Sequence, residues 1–190
     1  GSLWMWGDNQ YGELGDGTTE EKHTPVKIME NVKNVSLGDA NDSGAITEDG
    51  NLWTWGWNYW GQLGDGTRED KHTPVKFMEN VKAISFSIWY AGLIKEDGSL
   101  WMWGDNQYGE LGDGTTEENH KDAPVKIMEN VKTISLATFH SGAITEDGSL
   151  WMWGDNGYGR LGDGTTEEKH TPVKVMENVK AINLRSEERR

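Results

Sequence analysis

A sixteen-residue segment that occurs four times constrains the fold of this chain more than any other feature. Its copies occupy residues 3–18, 52–67, 100–115 and 150–165. Successive units start 49, 48 and 50 residues apart, and residues 1–21 recur letter for letter at 98–118. A repeat of this length is one supersecondary unit that buries its apolar face by stacking on its neighbours. The sequence therefore predicts one array over residues 1–190, with units 1–49, 50–97, 98–147 and 148–190.

Each unit carries four segments with the residue alternation of β-strands. In blade order these are Val-Lys-x-Ile/Val-Ser-Leu, Gly-Ala-Ile-Thr, Leu-Trp-x-Trp and Pro-Val-Lys-Ile, with an Asp-Gly hairpin signal between the second and third. Four antiparallel strands in about 49 residues match one blade of a β-propeller. We therefore predict an all-β propeller of four-stranded antiparallel blades. A β-solenoid is the alternative, disfavoured by the long loop at 7–24. Both tryptophans of each Leu-Trp-x-Trp pair, including Trp4 and Trp6, are predicted to lie in the core between blades.

The two ends of the array carry incomplete blades. Residues 1–31 supply only the third and fourth strands, three complete blades begin at Val32, Val81 and Val131, and a further first strand is predicted at Val179–Leu184. The second strand that should follow is missing, so we predict an open or incompletely clasped ring with three complete blades and a split one. Unpaired strand edges invite pairing with another chain. We therefore expect a homo-oligomer or a fragment of a larger propeller.

Two motifs resemble a known family. They are Trp-Gly-Asp-Asn-Gln-Tyr-Gly-Glu-Leu-Gly-Asp-Gly and Phe-His-Ser-Gly-Ala-Ile-Thr-Glu-Asp-Gly, which are similar to the regulator of chromosome condensation repeat in all four units. The resemblance implies a propeller, typically of seven blades. That family includes a nucleotide-exchange factor for a small nuclear GTPase, a plant ultraviolet-B receptor and many bacterial proteins. The near-identical Thr-Pro-Val-Lys-Ile-Met-Glu-Asn-Val segments resemble the bacterial members most.

Composition excludes several classes of function. The net charge of −14 argues against binding to a nucleic-acid backbone and is compatible with a basic partner, although it also serves solubility. The absence of cysteine excludes disulfides, thiolate zinc sites and cysteine nucleophiles. No run of 18 apolar residues is present, so we expect no membrane insertion. The compartment stays undecided.

The candidate catalytic and ligating residues form no recognisable centre. The glycine-rich loop lacks the lysine of a phosphate-binding loop and the ligand spacing of an EF-hand. His23, His72, His120 and His170 are read as one repeat position, one per blade, and are expected to be structural. No Ser-His-Asp or paired-carboxylate arrangement recurs at a plausible spacing. We therefore expect no enzyme activity, no metal and no cofactor.

Function is expected where near-identical copies differ. The differences concentrate in the turn between the first and second strands, at 38–42, 87–90 and 137–140, and at the start of the loop after the third strand, at 57–60. An up-and-down blade places both segments on one face, which we call the variable face. Eight of the 11 tryptophans belong to the repeated pairs, and the other three, Trp57, Trp60 and Trp89, all fall in these segments.

We therefore predict a ligand-binding surface on the variable face. Its predicted residues are Trp57, Tyr59, Trp60, Trp89 and Tyr90 at the centre, flanked by Asp39, Asp42, Phe139 and His140. Aromatic side chains at loop tips often mark binding sites, while local packing over the blades is the alternative. The predicted function is a non-catalytic recognition module for a protein or peptide, preferably one containing lysine or arginine. The alternatives are a structural or self-assembling repeat protein, carbohydrate binding, and the nucleotide exchange known in the family.

Overall fold

In a computed structural model that describes residues 1–38, 40–116 and 120–184, the chain folds into antiparallel β-strands. The strands are β1 (Leu3–Gly7), β2 (Lys22–Met29), β3 (Val32–Leu37), β4 (Asp42–Thr47), β5 (Leu52–Gly56), β6 (Lys71–Met78), β7 (Val81–Phe86), β8 (Tyr90–Lys95), β9 (Leu100–Gly104), β10 (Lys121–Met128), β11 (Val131–Leu136), β12 (His140–Thr145), β13 (Leu150–Gly154) and β14 (Lys169–Met176). The described residues contain no helix that is long and apolar enough to cross a bilayer.

The strands form one two-stranded sheet and three four-stranded sheets. Strands β1 and β2 pair with each other, and each larger sheet is a meander in chain order: β3–β6 (blade I), β7–β10 (blade II) and β11–β14 (blade III). The prediction of four-stranded antiparallel blades, three of them complete and one incomplete, is confirmed. Each blade begins at the predicted residue.

Two kinds of turn join the strands. At the Asp-Gly turns, Gly50 N donates to Thr47 O at 2.9 Å with a φ of 79° at the glycine. Between consecutive blades, a Glu-Asn pair makes the turn, and Asn80 takes a φ of 58°, a conformation that asparagine tolerates better than most residues. The carbonyl of Asn80 also accepts a hydrogen bond from Glu96 N at 2.8 Å, which ties this turn to the next hairpin.

The second tryptophan of each pair holds neighbouring blades together. Trp55, Trp103 and Trp153 are fully buried. Their Nε1 atoms donate to backbone carbonyls in the loop of the preceding unit, at 2.9, 2.8 and 2.7 Å for Glu13, Gln62 and Glu110. Burial of an indole with its N–H paired combines a large apolar contribution with a satisfied donor. The long glycine-rich loop of each unit is therefore the surface on which the following blade packs.

The two-stranded sheet of β1 and β2, which we call the half-blade, differs from one prediction. Trp4 is 48% exposed and Trp6 is 60% exposed, and among the described residues neither has the loop contact that Trp55, Trp103 and Trp153 make. The first tryptophans of the later pairs, Trp53, Trp101 and Trp151, are half-buried rather than fully buried. The prediction that every repeated tryptophan lies in the core is therefore wrong for Trp4 and Trp6.

The predicted strand Val179–Leu184 is also corrected. These residues carry no strand structure. In the complete blades, the first strand forms its ladder with the second strand of its own blade, as β11 does with β12. Without that ladder, the segment still lies on blade III, where Leu184 N donates to Ser135 Oγ at 2.9 Å and Ile182 approaches Gly142.

Candidate functional site

The two variable segments of each blade meet at one end of the sheet. In blade I, Trp57 N donates to Asn41 O at 3.0 Å, which links the loop after β5 to the turn before β4. The same bond joins Asp105 N to Trp89 O at 3.0 Å in blade II. The two variable segments of a blade are therefore adjacent at one end of its sheet, as the up-and-down topology predicts.

An asparagine that is identical in all four loops fixes their shape. Asn58 is fully buried, and its Nδ2 donates to Thr67 O at 3.0 Å and Glu69 O at 3.2 Å. Its Oδ1 accepts a hydrogen bond from Leu63 N at 2.9 Å. Because both ends of the amide are paired, the loop that carries the variable residues is held rigidly.

Four aromatic side chains, which we call the aromatic row, run across the variable face. Tyr11 lies 5.9 Å from Trp57, Trp57 stacks on Tyr59 at 6.0 Å, and Tyr59 meets Trp60 edge-on at 4.9 Å between ring centroids. Tyr59 is 60% exposed, and the three other rings are half-buried. Three of these residues were predicted. Tyr11 was missed because it matches the repeat, and only its neighbour in space, Trp57, departs from it.

A cavity of about 290 Å³ opens at the end of the aromatic row, between blades I and II. It is lined by Trp60, Trp89, Asp105, Gln107 and His120, and we call it the interblade cavity. The ring of His120 lies 4.7 Å from that of Trp60, nearly perpendicular to it. The cavity brings together Trp60 and Trp89, which are 29 residues apart in the sequence.

The prediction that His120 shares the repeat position of His23 is wrong. Strand β10 reads Lys-Asp-Ala-Pro where β2 reads Lys-His-Thr-Pro, so Asp122 occupies the repeat position of His23. The loop before β10 spans 105–120, two residues longer than the loop at 57–70, and the extra length moves His120 into the interblade cavity. That extra length was the available signal.

Tyr90 lies in the core and not on the surface. Its ring is fully buried, and its hydroxyl oxygen lies 2.7 Å from Ala137 O and 2.9 Å from His140 O. Ser141 Oγ donates to the same oxygen at 3.1 Å. Burial raises the pKa of the Tyr90 hydroxyl far above its ordinary range. The prediction that Tyr90 belongs to the exposed surface is therefore wrong, because its polar atom finds partners in the interface between blades II and III.

The predicted flanking residues lie beneath the surface. Asp42, at the start of β4, and His140, at the start of β12, are buried, and the Asp42 carboxylate folds back over Gly38. Phe139 is buried as well and supports the face from below, since its ring lies 5.3 Å from Trp89. Asp39 lies outside the described residues. The structure therefore brings Trp57, Tyr59, Trp60 and Trp89 to the face.

The loop after β9 carries one carboxylate at the interblade cavity and one buried carboxyl. The Asp105 carboxylate lines the cavity, and Glu110, in the same loop, is fully buried. Burial raises the pKa of the Glu110 carboxyl to about 8, and the charges of Asp105 and Asp155 add to the rise. Glu110 Oε2 accepts a hydrogen bond from Tyr108 N at 2.8 Å. Among the described residues, no three His, Asp or Glu side chains converge as metal ligands would.

Comparison with known proteins assigns the family. The profile described as "Regulator of chromosome condensation (RCC1) repeat" matches residues 1–40, 49–88, 97–144 and 147–183, and a second profile of this repeat matches 131–160. No curated protein matches the sequence.

Solved structures show the same fold. Human WBSCR16 is similar with 24% identity and a TM-score of 0.82, over 98% of this chain and 52% of that one. Prp20p from Saccharomyces cerevisiae is similar with 20% identity and a TM-score of 0.77, over 93% of this chain and 47% of that one. Yeast RCC1 (Prp20) in complex with Kap60 is similar with 21% identity and a TM-score of 0.79, over 93% of this chain and 45% of that one. The chain therefore spans about half the length of these structures. With profile matches in all four units, it belongs to the regulator of chromosome condensation (RCC1) repeat family.

Proposed function

We propose that this chain is a non-catalytic recognition module that binds a protein or peptide segment across its variable face. The observation that carries the proposal is the aromatic row, which ends at the interblade cavity. Tryptophan and tyrosine are enriched among residues that dominate binding energy, because they offer a large contact area and lose little conformational freedom.

The rigidity of the loops supports this proposal. The Asn58 amide holds the loop that carries Trp57 and Trp60 through three backbone hydrogen bonds. A surface that is ordered before the ligand arrives loses less entropy on binding. The net charge of −14 favours a segment that contains lysine or arginine.

The similar proteins give a further argument. Prp20p is described with binding properties towards Gsp1p and histones, and yeast RCC1 has been solved bound to Kap60. These are partners of those proteins. They support the proposal only by indicating that a propeller of this kind presents surfaces on which other proteins dock.

The test replaces the three additional tryptophans by the residues of the other units, as Trp57→Asp, Trp60→Tyr and Trp89→Phe. A peptide is first selected against the unchanged chain from a displayed random library. The triple variant should bind this peptide at least about 30-fold more weakly, the loss expected when residues that dominate a binding site are removed. Its thermal unfolding should stay close to that of the unchanged chain.

Trp4→Ala, which removes an exposed tryptophan on β1, is the control and should bind normally. Unchanged binding by the triple variant would show that the variable face is not the site.

A second candidate, self-association through the ends of the array, is favoured by the half-blade. Trp6 and His23 are exposed there, and their equivalents in later blades fill the loop of the preceding unit. The loop of the last unit offers a matching contact surface, because no described atom lies within 4 Å of the position that a Cβ at Gly162 would take. A second copy or a further repeat would fit it. Sedimentation should then detect species heavier than 21.3 kDa that Trp6→Ala removes, and a mass of 21.3 kDa at every concentration would exclude association of this chain with itself.

A further inference from the structure

Blade III contains an arginine bound between a carboxylate and an aromatic ring. The Arg160 guanidinium contacts Asp155 Oδ2 and lies 4.9 Å from the centroid of the Tyr158 ring. Both partners belong to the repeat motif, while the arginine departs from it. The loop of this repeat can therefore hold a guanidinium at the aspartate that opens it.

Blade II has the same aspartate but no arginine in its loop. Glu110 occupies the position of Arg160, and its buried side chain accepts a hydrogen bond from Tyr108 N in its own loop. Asp105 therefore receives no guanidinium from its own loop, and the interblade cavity opens beside it. Its volume of about 290 Å³ lies at the lower end of the range for small-molecule sites and suits a single side chain.

The walls of this cavity suit a flat cation. Trp60 and Trp89 contribute indole rings, and neither belongs to the repeated tryptophan pairs. His120 Nδ1 lies 3.2 Å from Asp105 Oδ1, with side chains that are 12% and 13% exposed, but it makes no hydrogen bond there. Asp105 therefore has an imidazole as its close neighbour while its side chain lines the cavity.

We propose that the interblade cavity anchors an arginine side chain of the bound segment, with the guanidinium on the Asp105 carboxylate and against the indoles of Trp60 and Trp89. This inference rests on the proposed function of the variable face. Arginine fits better than lysine, because its planar guanidinium pairs with a carboxylate through two hydrogen bonds while its face stacks on an aromatic ring. Arg160 shows a carboxylate contact together with an aromatic contact within the chain itself.

Four blocked pentapeptides test the anchor by calorimetry: acetyl-Gly-Gly-X-Gly-Gly-amide with arginine, lysine, citrulline or leucine at X. Citrulline keeps the shape of arginine and lacks its charge. The arginine peptide should bind to the unchanged chain at least about tenfold more tightly than the citrulline peptide, the ratio expected for one charge-assisted hydrogen-bonded pair. Equal binding of these two peptides, tighter binding of the lysine peptide, or no binding of the arginine peptide overturns the proposal.

Two substitutions test whether the charge of Asp105 holds the arginine peptide. Asp105→Asn should reduce the affinity for the arginine peptide at least about tenfold and leave the citrulline peptide unchanged. The matched control is Asp155→Asn in blade III, which should leave both affinities unchanged. A chain that binds its library-selected peptide through Trp57, Trp60 and Trp89 but shows no effect of Asp105→Asn keeps the proposed function and loses the arginine anchor. The comparison of arginine with citrulline needs no variant and decides the proposal if Asp105→Asn does not fold.

Discussion

Replacing the buried carboxyl of Glu110 by an amide should remove a large pH dependence from the stability of this chain. Glu110 is fully buried at the interface between blades II and III, and its pKa is raised from the ordinary value of 4.5 to about 8. The folded state therefore keeps a proton on this group that the unfolded state releases. Stability contributed by the group is present at low pH and is lost as the pH rises from about 4.5 through about 8.

The magnitude follows from the two pKa values. Each pKa unit corresponds to about 1.4 kcal/mol, so the free energy of unfolding of the unchanged chain should fall by about 4 kcal/mol relative to Glu110→Gln between pH 5 and pH 9. The amide should fit, because blade I has glutamine at this position. Gln62 Oε1 accepts a hydrogen bond from Trp60 N at 3.0 Å, as Glu110 Oε2 does from Tyr108 N. Comparing the two pH values cancels any pH-independent effect of the amide.

The assay is urea unfolding of both chains from pH 5 to pH 9, followed by tryptophan fluorescence. The carboxyl carbon of Glu110 is followed in parallel by NMR. The reverse substitution Gln62→Glu, at the equivalent site of the preceding unit, should introduce a pH dependence of the same sign. Parallel stability profiles for the unchanged chain and Glu110→Gln, together with titration of Glu110 near 4.5, would refute the reasoning.

The packing between blades gives two more predictions. Trp103→Ala should cost about 3–5 kcal/mol of unfolding free energy, as the loss of a fully buried ring does, whereas Trp6→Ala should cost less than about 1 kcal/mol because that ring is 60% exposed; equal losses in urea unfolding would contradict this difference. Gly112→Ala should cost at least about 2 kcal/mol, because Gly112 has a φ of 78° and a new Cβ would lie 2.8 Å from Trp153 Nε1. Gly162→Ala, which has a φ of 70° and open space, should cost only about 1 kcal/mol, and similar melting temperatures for the two variants would show that the close contact is absent.

The blade architecture could be predicted from the sequence because repetition supplied it four times. The strand starts at Val32, Val81 and Val131 needed only the alternation of residues and the Asp-Gly turns. The prediction was wrong where a residue depends on what packs against it. Trp6 has the same sequence context as Trp103, but only Trp103 is covered by a loop in the part of the chain that the structure describes.

The candidate site was predicted in part for a similar reason. Departures from the repeat identified Trp57, Tyr59, Trp60 and Trp89, which the structure brings to one face. They also pointed to Tyr90, which is buried. Its hydroxyl is paired with two backbone carbonyls of the next blade, and this contact could not be predicted because those residues lie about 50 positions further along the sequence. Two further lining residues of the interblade cavity, Asp105 and Gln107, match the repeat, so no departure could reveal them.

The tryptophan indoles provide the most direct test of the proposed binding face. Eleven of them sample the face, the core and the half-blade, and each gives one Nε1–H signal in an NMR spectrum. On addition of the library-selected peptide, the signals of Trp57, Trp60 and Trp89 should shift, while those of the buried Trp55, Trp103 and Trp153 should stay in place. Shifts confined to Trp4 and Trp6, with the signals of the variable face unchanged, would contradict the proposed site and place binding on the half-blade.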